Sequence, residues 1–271
     1  MLSFLVGSLY IADFDNDVIR KAKNSSGTYY LSTVMGGGSS SDGTSATSIQ
    51  LNGPTGLLLD SGGNLYVTGF YNHVIKKLSA ASNSFPTIAP TSSYQTPAPT
   101  STPVLSVVAG TSGVEGTDGD WDDATSVELK DPTSIAFDTD GNLYIADYSR
   151  IRKVSASTGI ITTVAGVYNT GITQGSDNSV ATSAVFCSTY GIALDSSDNL
   201  YITDDVCHSV RKLTVSSDAI STIAGSNDAT SYGLASGDGG QATSALLKSP
   251  TDIALDSSGI FYSQILIDIS S

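Results

Sequence analysis

The sequence predicts an all-β chain built from repeated four-stranded antiparallel units, and three observations carry that prediction. A short text recurs as "GSLYIADFDNDVIRKAK", "GGNLYVTGFYNHVIKKLS", "DGNLYIADYSRIRKVS" and "SDNLYITDDVCHSVRKLT". Markers at Tyr10, Tyr66, Tyr144, Tyr201 and Tyr262 keep phase with Ala-Thr-Ser at Ala46, Ala124, Ala181 and Ala242, and with a closing "STVMG", "SVVAG", "TTVAG" or "STIAG". Repetition at a long period marks a stacked repeat architecture. No segment sustains a helical period, whereas short β-branched runs alternate with Gly, Asn and Asp turns.

The clearest unit justifies each element in order. Strand one is "SIAFD" (Ser134–Asp138), opened by Pro132, whose missing N–H does little harm at a strand start. The turn "DTDGN" supplies a glycine able to take positive φ. Strand two is "NLYIAD" (Asn142–Asp147), strand three "RIRKVS" (Arg150–Ser155) and strand four "IITTVAG" (Ile160–Gly166). The inner strands are apolar on both sides, Leu143 and Ile145 on one and Tyr144 and Ala146 on the other, so both sheet faces are covered. Four strands per unit, buried on both faces, are the sequence form of a β-propeller blade.

Residues 1–271 read as a single propeller domain with about four blades represented, incomplete or a fragment of a larger ring. Full units lie near Pro54–Gly110, Pro132–Gly166 and Thr189–Gly225. The N-terminus adds strands two to four of another blade. The C-terminus adds strand one, "DIALD", and an eroded strand two, "GIFYSQILID". That last strand one is a candidate to complete the N-terminal blade, although an open ring is the preferred expectation. A Pro/Thr/Ser-rich insertion at 85–103, with Pro86, Pro90, Pro97 and Pro99, is expected to form an extended, solvated loop.

Composition narrows the partners. The chain carries 12 Lys and Arg against 26 Asp and Glu, a net charge of −14, so nucleic acid is not an expected ligand. No apolar run is long enough for membrane insertion. The opening "MLSFLV" is too short for the apolar core of a signal peptide. Repeat text already present at Leu9 suggests a longer precursor, destined for secretion or the cell surface.

The unit "PTSIAFDTDGNLYIADYSRIRKVSASTGIITTVAG" resembles an NHL repeat. The stretch "GDGGQATSALLKSPTDIALD" resembles the glycine-rich connection of the subgroup that includes the teneurin NHL propeller and many secreted bacterial and algal proteins. The resemblance implies a propeller, usually of six or more blades, serving mainly as a binding platform. It also implies a rival: some relatives in the wider superfamily are lactonases or lyases with a metal in the central channel.

The candidate residues follow from this frame. His73 and His208 share one register and read as repeat positions; two histidines are too few for a lyase-type zinc site. The run "DGDWDD" lies in a long connection around the single Trp and keeps a weak calcium reading, but no acidic run has the glycine and glutamate spacing of an EF-hand loop. No other cofactor is expected. Asp13, Asp147 and Asp204 close strand two and are followed by Arg20, Arg152 and Arg211 in strand three, while Gly69 and Lys76 replace both in the remaining unit. An Asp–Arg pair across each hairpin is therefore expected, within about 4 Å in at least two units.

The favoured function is a non-catalytic binding or scaffold propeller. Its acidic loop face would be formed by Asp42, Asp118, Asp120, Asp122, Asp123, Asp177 and Asp238, and would take a protein, a small cationic ligand or a metal ion. For the hydrolase or lyase rival, the strand-one position offers Gly56, Ser134, Gly191 and, at the channel mouth, Asp252; blades outside this chain would have to complete a metal site. Asn24 in "NSS" is a candidate glycosylation site. Cys187 precedes strand one and Cys207 follows strand two of the same blade. An up-and-down sheet brings those ends together, so a disulfide and an oxidising compartment are expected.

Overall fold

The computed structural model describes residues 2–5, 8–40, 45–80, 103–168, 177, 180–225, 236–256 and 261–265. Four four-stranded antiparallel sheets follow one another along the chain, then a two-stranded one. The first blade is β1 (Leu2–Leu5), β2 (Ser8–Asp13), β3 (Val18–Ser25) and β4 (Thr28–Gly36). The second is β5 (Pro54–Leu59), β6 (Leu65–Gly69), β7 (Val74–Leu78) and β8 (Leu105–Ala109). The third is β9 (Pro132–Phe137), β10 (Leu143–Asp147), β11 (Arg150–Val154) and β12 (Ile161–Ala165). The fourth is β13 (Thr189–Leu194), β14 (Leu200–Asp204), β15 (Ser209–Thr214) and β16 (Ala219–Ala224). β17 (Pro250–Leu255) and β18 (Phe261–Ile265) form the fifth sheet.

One expectation changes. The N-terminal blade has its own first strand, because Leu2 pairs with Ile11 and Leu5 with Ser8. The apolar start of the chain fills the inner position that would otherwise need a borrowed strand. The proline-rich insertion lies, apart from its last residue, outside the described residues. Among the described residues no helix is long and apolar enough to cross a membrane.

The blades share their cores. Ala109, Leu129, Ile135 and Ile145 form one apolar cluster between the second and third blades; Ile151, Ala165, Phe186 and Ile202 form the next. Every residue of β6, β10 and β14 is buried, as strands covered on both faces require. Each fully buried aliphatic side chain contributes about 1.5–3 kcal/mol.

The repeated words now have physical roles. The closing glycine donates its N–H to the alanine C=O of Ala-Thr-Ser in every unit: Gly36 to Ala46 at 2.8 Å, Gly110 to Ala124 at 2.8 Å, Gly166 to Ala181 at 2.9 Å and Gly225 to Ala242 at 3.0 Å. Each of these glycines has φ between 84° and 89°, and a Cβ on Gly110 would lie 2.3 Å from the His73 carbonyl oxygen. The strand-two tyrosine lies beneath the strand-three lysine: Tyr66 and Lys77 at 5.2 Å, Tyr144 and Lys153 at 5.0 Å, Tyr201 and Lys212 at 5.0 Å. In the turns, Asp60, Asp138 and Asp195 accept backbone N–H groups two and four residues on. The Asn64, Asn142 and Asn199 side chains then accept from Ala80, Ala156 and Val215, tying the strand one–two turn to the strand three–four turn.

Candidate functional site

The innermost strands line a cavity of about 790 Å³, walled by Leu57, Leu59, Ile135, Phe137 and Ile192 and reaching the turns at Asp60 and Asp138. Those two carboxylates are held inside their turns: burial pushes both up, but the bonds from Asn64 and Gly62 to Asp60 and from Asn142 and Lys153 to Asp138 together outweigh it and keep both below the ordinary value. Asp252, expected at the mouth, lines this cavity and accepts the Ile253 N–H at 2.9 Å. Burial raises its carboxyl above the usual value.

The acidic connections do not stand on one face. Those that carry Asp120 and Asp177 run along the outer edge of the blade that follows them. The Trp121 N–H donates to the Ile161 C=O at 2.8 Å, the Ile161 N–H to the Asp122 C=O at 3.0 Å, and the Ala124 N–H to the Gly159 C=O at 2.9 Å. In the next unit the Ala181 N–H donates to the Asp218 C=O at 3.0 Å. The reason is the edge itself: strand four would otherwise leave a row of unpaired ladder groups.

This route aims two of the expected surface carboxylates, each still partly exposed, at buried arginines. Asp120 lies 3.0 Å from Arg152 Nη2 and accepts the Thr163 hydroxyl at 3.1 Å. Asp177 lies 3.1 Å from Arg211 Nη2 and accepts both the N–H and the hydroxyl of Thr222 at 2.9 Å. Asp123 is engaged by the Thr125 N–H and hydroxyl at 2.9 and 2.6 Å. Asp118, Asp122 and Asp238 are exposed, and Asp42 lies outside the described residues. Asp120 and Asp177 share one spacing, each four residues before the alanine of Ala-Thr-Ser, which is the sequence signal for this role.

The strand-three arginines sit just past a register irregularity, between Ile19 and Arg20, Ile151 and Arg152, and Val210 and Arg211. A bulge of this kind re-aims the side chain that follows it. Arg20 Nε lies 2.7 Å from Asp13, whose carboxyl is lowered first by that bond and then by Asn16. Asp147 lies 2.9 Å from Arg150 and 3.5 Å from Arg152. Its carboxyl is nevertheless raised, because burial exceeds the pull of Arg150, the Lys130 N–H and Arg152.

Asp204 takes a different set of partners. It accepts backbone N–H groups from Cys187 and Ser188 at 2.9 Å and from Cys207 at 3.4 Å, and burial lifts its carboxyl to about 6. Arg211, on the next strand, reaches out to Asp177 while still feeling the Asp204 charge.

Cys187 and Cys207 form a disulfide with Cα atoms 5.7 Å apart. Both are buried, whereas Asn52, Lys130 and Lys248, which stand opposite Cys187 in the other units, are partly exposed. Among the described residues, Cys187, Asp204 and Cys207 are the one trio of metal-ligating types brought together. The two histidines play one part: the Nδ1 atoms of His73 and His208 accept the N–H groups of Asp131 and Ser249 at 3.2 and 3.1 Å. Asn24 is exposed at the end of β3 and accepts the Gly27 N–H at 3.0 Å.

Residues 109–176 match the family model of the teneurin NHL domain. No curated protein matches the chain in sequence. Among solved structures, the chain is similar to a structural genomics protein of unknown function from Bacteroides thetaiotaomicron VPI-5482, with 18% identity, 95% of this chain and 53% of that chain covered, and a TM-score of 0.62. It is also similar to an auxiliary nutrient binding protein from Bacteroides ovatus ATCC 8483, with 18% identity, 97% and 55% covered, and a TM-score of 0.60. A protein assigned as a gluconolactonase gives 10% identity, 96% and 68% covered, and a TM-score of 0.54. The chain spans about half the length of the first two, and identities this low speak to the propeller fold alone.

Proposed function

We propose that this chain is a non-catalytic binding propeller whose outer rim presents an acidic, aromatic patch to a cationic partner, a Lys- and Arg-rich protein segment or a small cation. The observation that carries this reading is Trp121. Its side chain is 79% exposed, yet its backbone is pinned to β12 and held at a positive φ of 72° between the exposed Asp118 and Asp122. A bulky residue held in that conformation points to a function for the side chain it displays. Tryptophan is the favoured anchor of binding hot spots, and its ring face attracts cations.

The channel supports the same reading. Asp60 and Asp138 are engaged in their turns, which leaves Asp252 among aliphatic walls, whereas acid–base or metal-assisted hydrolysis draws on several converging groups. One neighbour in fold is named for nutrient binding and another for a lactonase, so fold likeness does not choose between the readings. The Cys187–Cys207 bridge favours an oxidising setting, secreted or at the cell surface.

The test is anisotropy of a labelled Arg- and Lys-rich peptide titrated with the chain at low and high salt. Binding should weaken with salt and fall at least about tenfold in Trp121→Ala and in the double variant Asp118→Asn with Asp122→Asn, with the melting temperature unchanged. Equal binding of a neutral peptide, or unaltered binding by these variants, would refute it.

A further inference from the structure

The fourth blade departs from the first and third at the carboxylate that closes strand two. Asp13 lies 2.7 Å from Arg20, and Asp147 lies 2.9 Å from Arg150 and 3.5 Å from Arg152. In the fourth blade Arg211 reaches out to Asp177 at 3.1 Å, and Asp204 faces two cysteines. The ligand atoms of Cys187, Asp204 and Cys207 all lie within 4.8 Å of one another, and all three residues are buried.

The repeat explains this convergence. The third residue after the strand-two Asp lies beside it: the Asn16 side chain donates to Asp13 at 2.7 Å, and Cys207 holds the same place after Asp204. The entry to strand one approaches as well, since the Lys130 N–H donates to Asp147 at 2.6 Å and the Cys187 N–H to Asp204 at 2.9 Å. Both places around the carboxylate therefore belong to the blade, and the chain's two cysteines fill both in one blade. The Ser188 and Cys207 N–H groups hold Asp204 further, at 2.9 and 3.4 Å. A carboxylate has about four acceptor sites, so three amide bonds orient it and leave it able to take a cation.

We propose that Cys187, Cys207 and Asp204 form a zinc site that takes over the cross-link when the disulfide is reduced. A thiol reductant breaks the S–S bond: two reductant thiols join as a disulfide, and their two electrons and two protons leave Cys187 and Cys207 as thiols. Zn2+ then binds both sulfurs as thiolates and releases the two protons to solvent. Asp204 supplies the third ligand and water the fourth, which completes the tetrahedral set that zinc takes. Zn–S bonds of about 2.3 Å in that geometry set the sulfurs roughly 3.8 Å apart, and Cα atoms 5.7 Å apart allow this by side-chain rotation alone. Thiolate ligands select zinc over magnesium and calcium, which take oxygen. The loaded trio keeps one negative charge in excess, opposed by the buried Arg211 on the neighbouring strand. The entry of β13 and the turn after β14 thus stay tied in a reducing as in an oxidising setting. This site uses none of the Trp121 rim, so either reading can fail without the other.

The test uses the full chain, reduced in urea by a water-soluble phosphine and diluted into buffer with a slight excess of zinc. The phosphine becomes its oxide with oxygen from water, and it leaves no thiol to compete for the metal. A chromogenic chelator should count one zinc per chain, and the melting temperature should rise above that of the reduced, zinc-free chain. Cobalt(II) in place of zinc should give a thiolate charge-transfer band. The oxidised chain should take up no zinc. Asp204→Asn, checked for folding in its oxidised form before reduction, should hold zinc at least about tenfold more weakly, the loss that even an outer partner of a metal site implies. No zinc on the reduced chain, no cobalt charge-transfer band, undiminished affinity in Asp204→Asn, or equal uptake by the oxidised chain would each overturn the inference.

Discussion

Replacing Asp120 by Asn tests whether the connection carboxylates hold the blades or merely decorate them. The change keeps shape and removes one charge from the fully buried Arg152, which lies 3.0 Å from Asp120 and 3.5 Å from Asp147. No nitrogen of Arg152 makes an aligned hydrogen bond, so its stability rests on charge attraction from these two carboxylates. Breaking a buried pair outright costs about 3–5 kcal/mol. Asp120 is 40% exposed and Asp147 remains, so the expected loss is about 1–2 kcal/mol. For a chain of this size that lowers the melting temperature by roughly 3–6 °C.

Asp118→Asn, two residues away and exposed, should stay within about 0.5 kcal/mol of the parent. Urea titrations of the three proteins at low ionic strength and in half-molar salt are the assay. Salt should leave most of the Asp120 effect, because a guanidinium with no solvent exposure is poorly screened. If Asp120→Asn and Asp118→Asn prove indistinguishable, the connection does not lock the blade and the reasoning fails.

The Cys187–Cys207 bridge closes a loop with a sequence separation of 20, so Cys187→Ser with Cys207→Ser should cost about 3 kcal/mol in the entropic account; a loss under about 1 kcal/mol in urea titration would contradict it. Asp204 should impose a pH signature, because its folded-state value of about 6 lies above the ordinary 3.8. A raised carboxyl favours the fold fully below about pH 4, and that contribution is lost as pH climbs through about 6. Relative to Asp204→Asn, the parent should therefore lose about 2 kcal/mol of stability from pH 4 to pH 7, with the depressed carboxylates of Asp13, Asp60 and Asp138 cancelling between the two proteins. Parallel pH profiles would count against it.

The sequence by itself determined the unit. Strand pairing within a blade is set by neighbours in the chain: the Asp138–Asn142 turn fixes the register of Ile135 against Ile145, and the two-sided apolar text of Leu143–Ala146 requires covered faces. The sequence also placed Cys187 near Cys207, because an antiparallel hairpin brings its ends together whatever surrounds it. It did not reveal where the connections run. Residues 110–131 could stand on a face or follow an edge with the same composition, and only the unpaired outer edge of β12 decides between them. That choice turned Asp120 and Asp177 onto buried arginines and left Trp121 outside. Contacts within a hairpin are written locally, while contacts between a connection and the next blade's edge exist only once the blades have stacked.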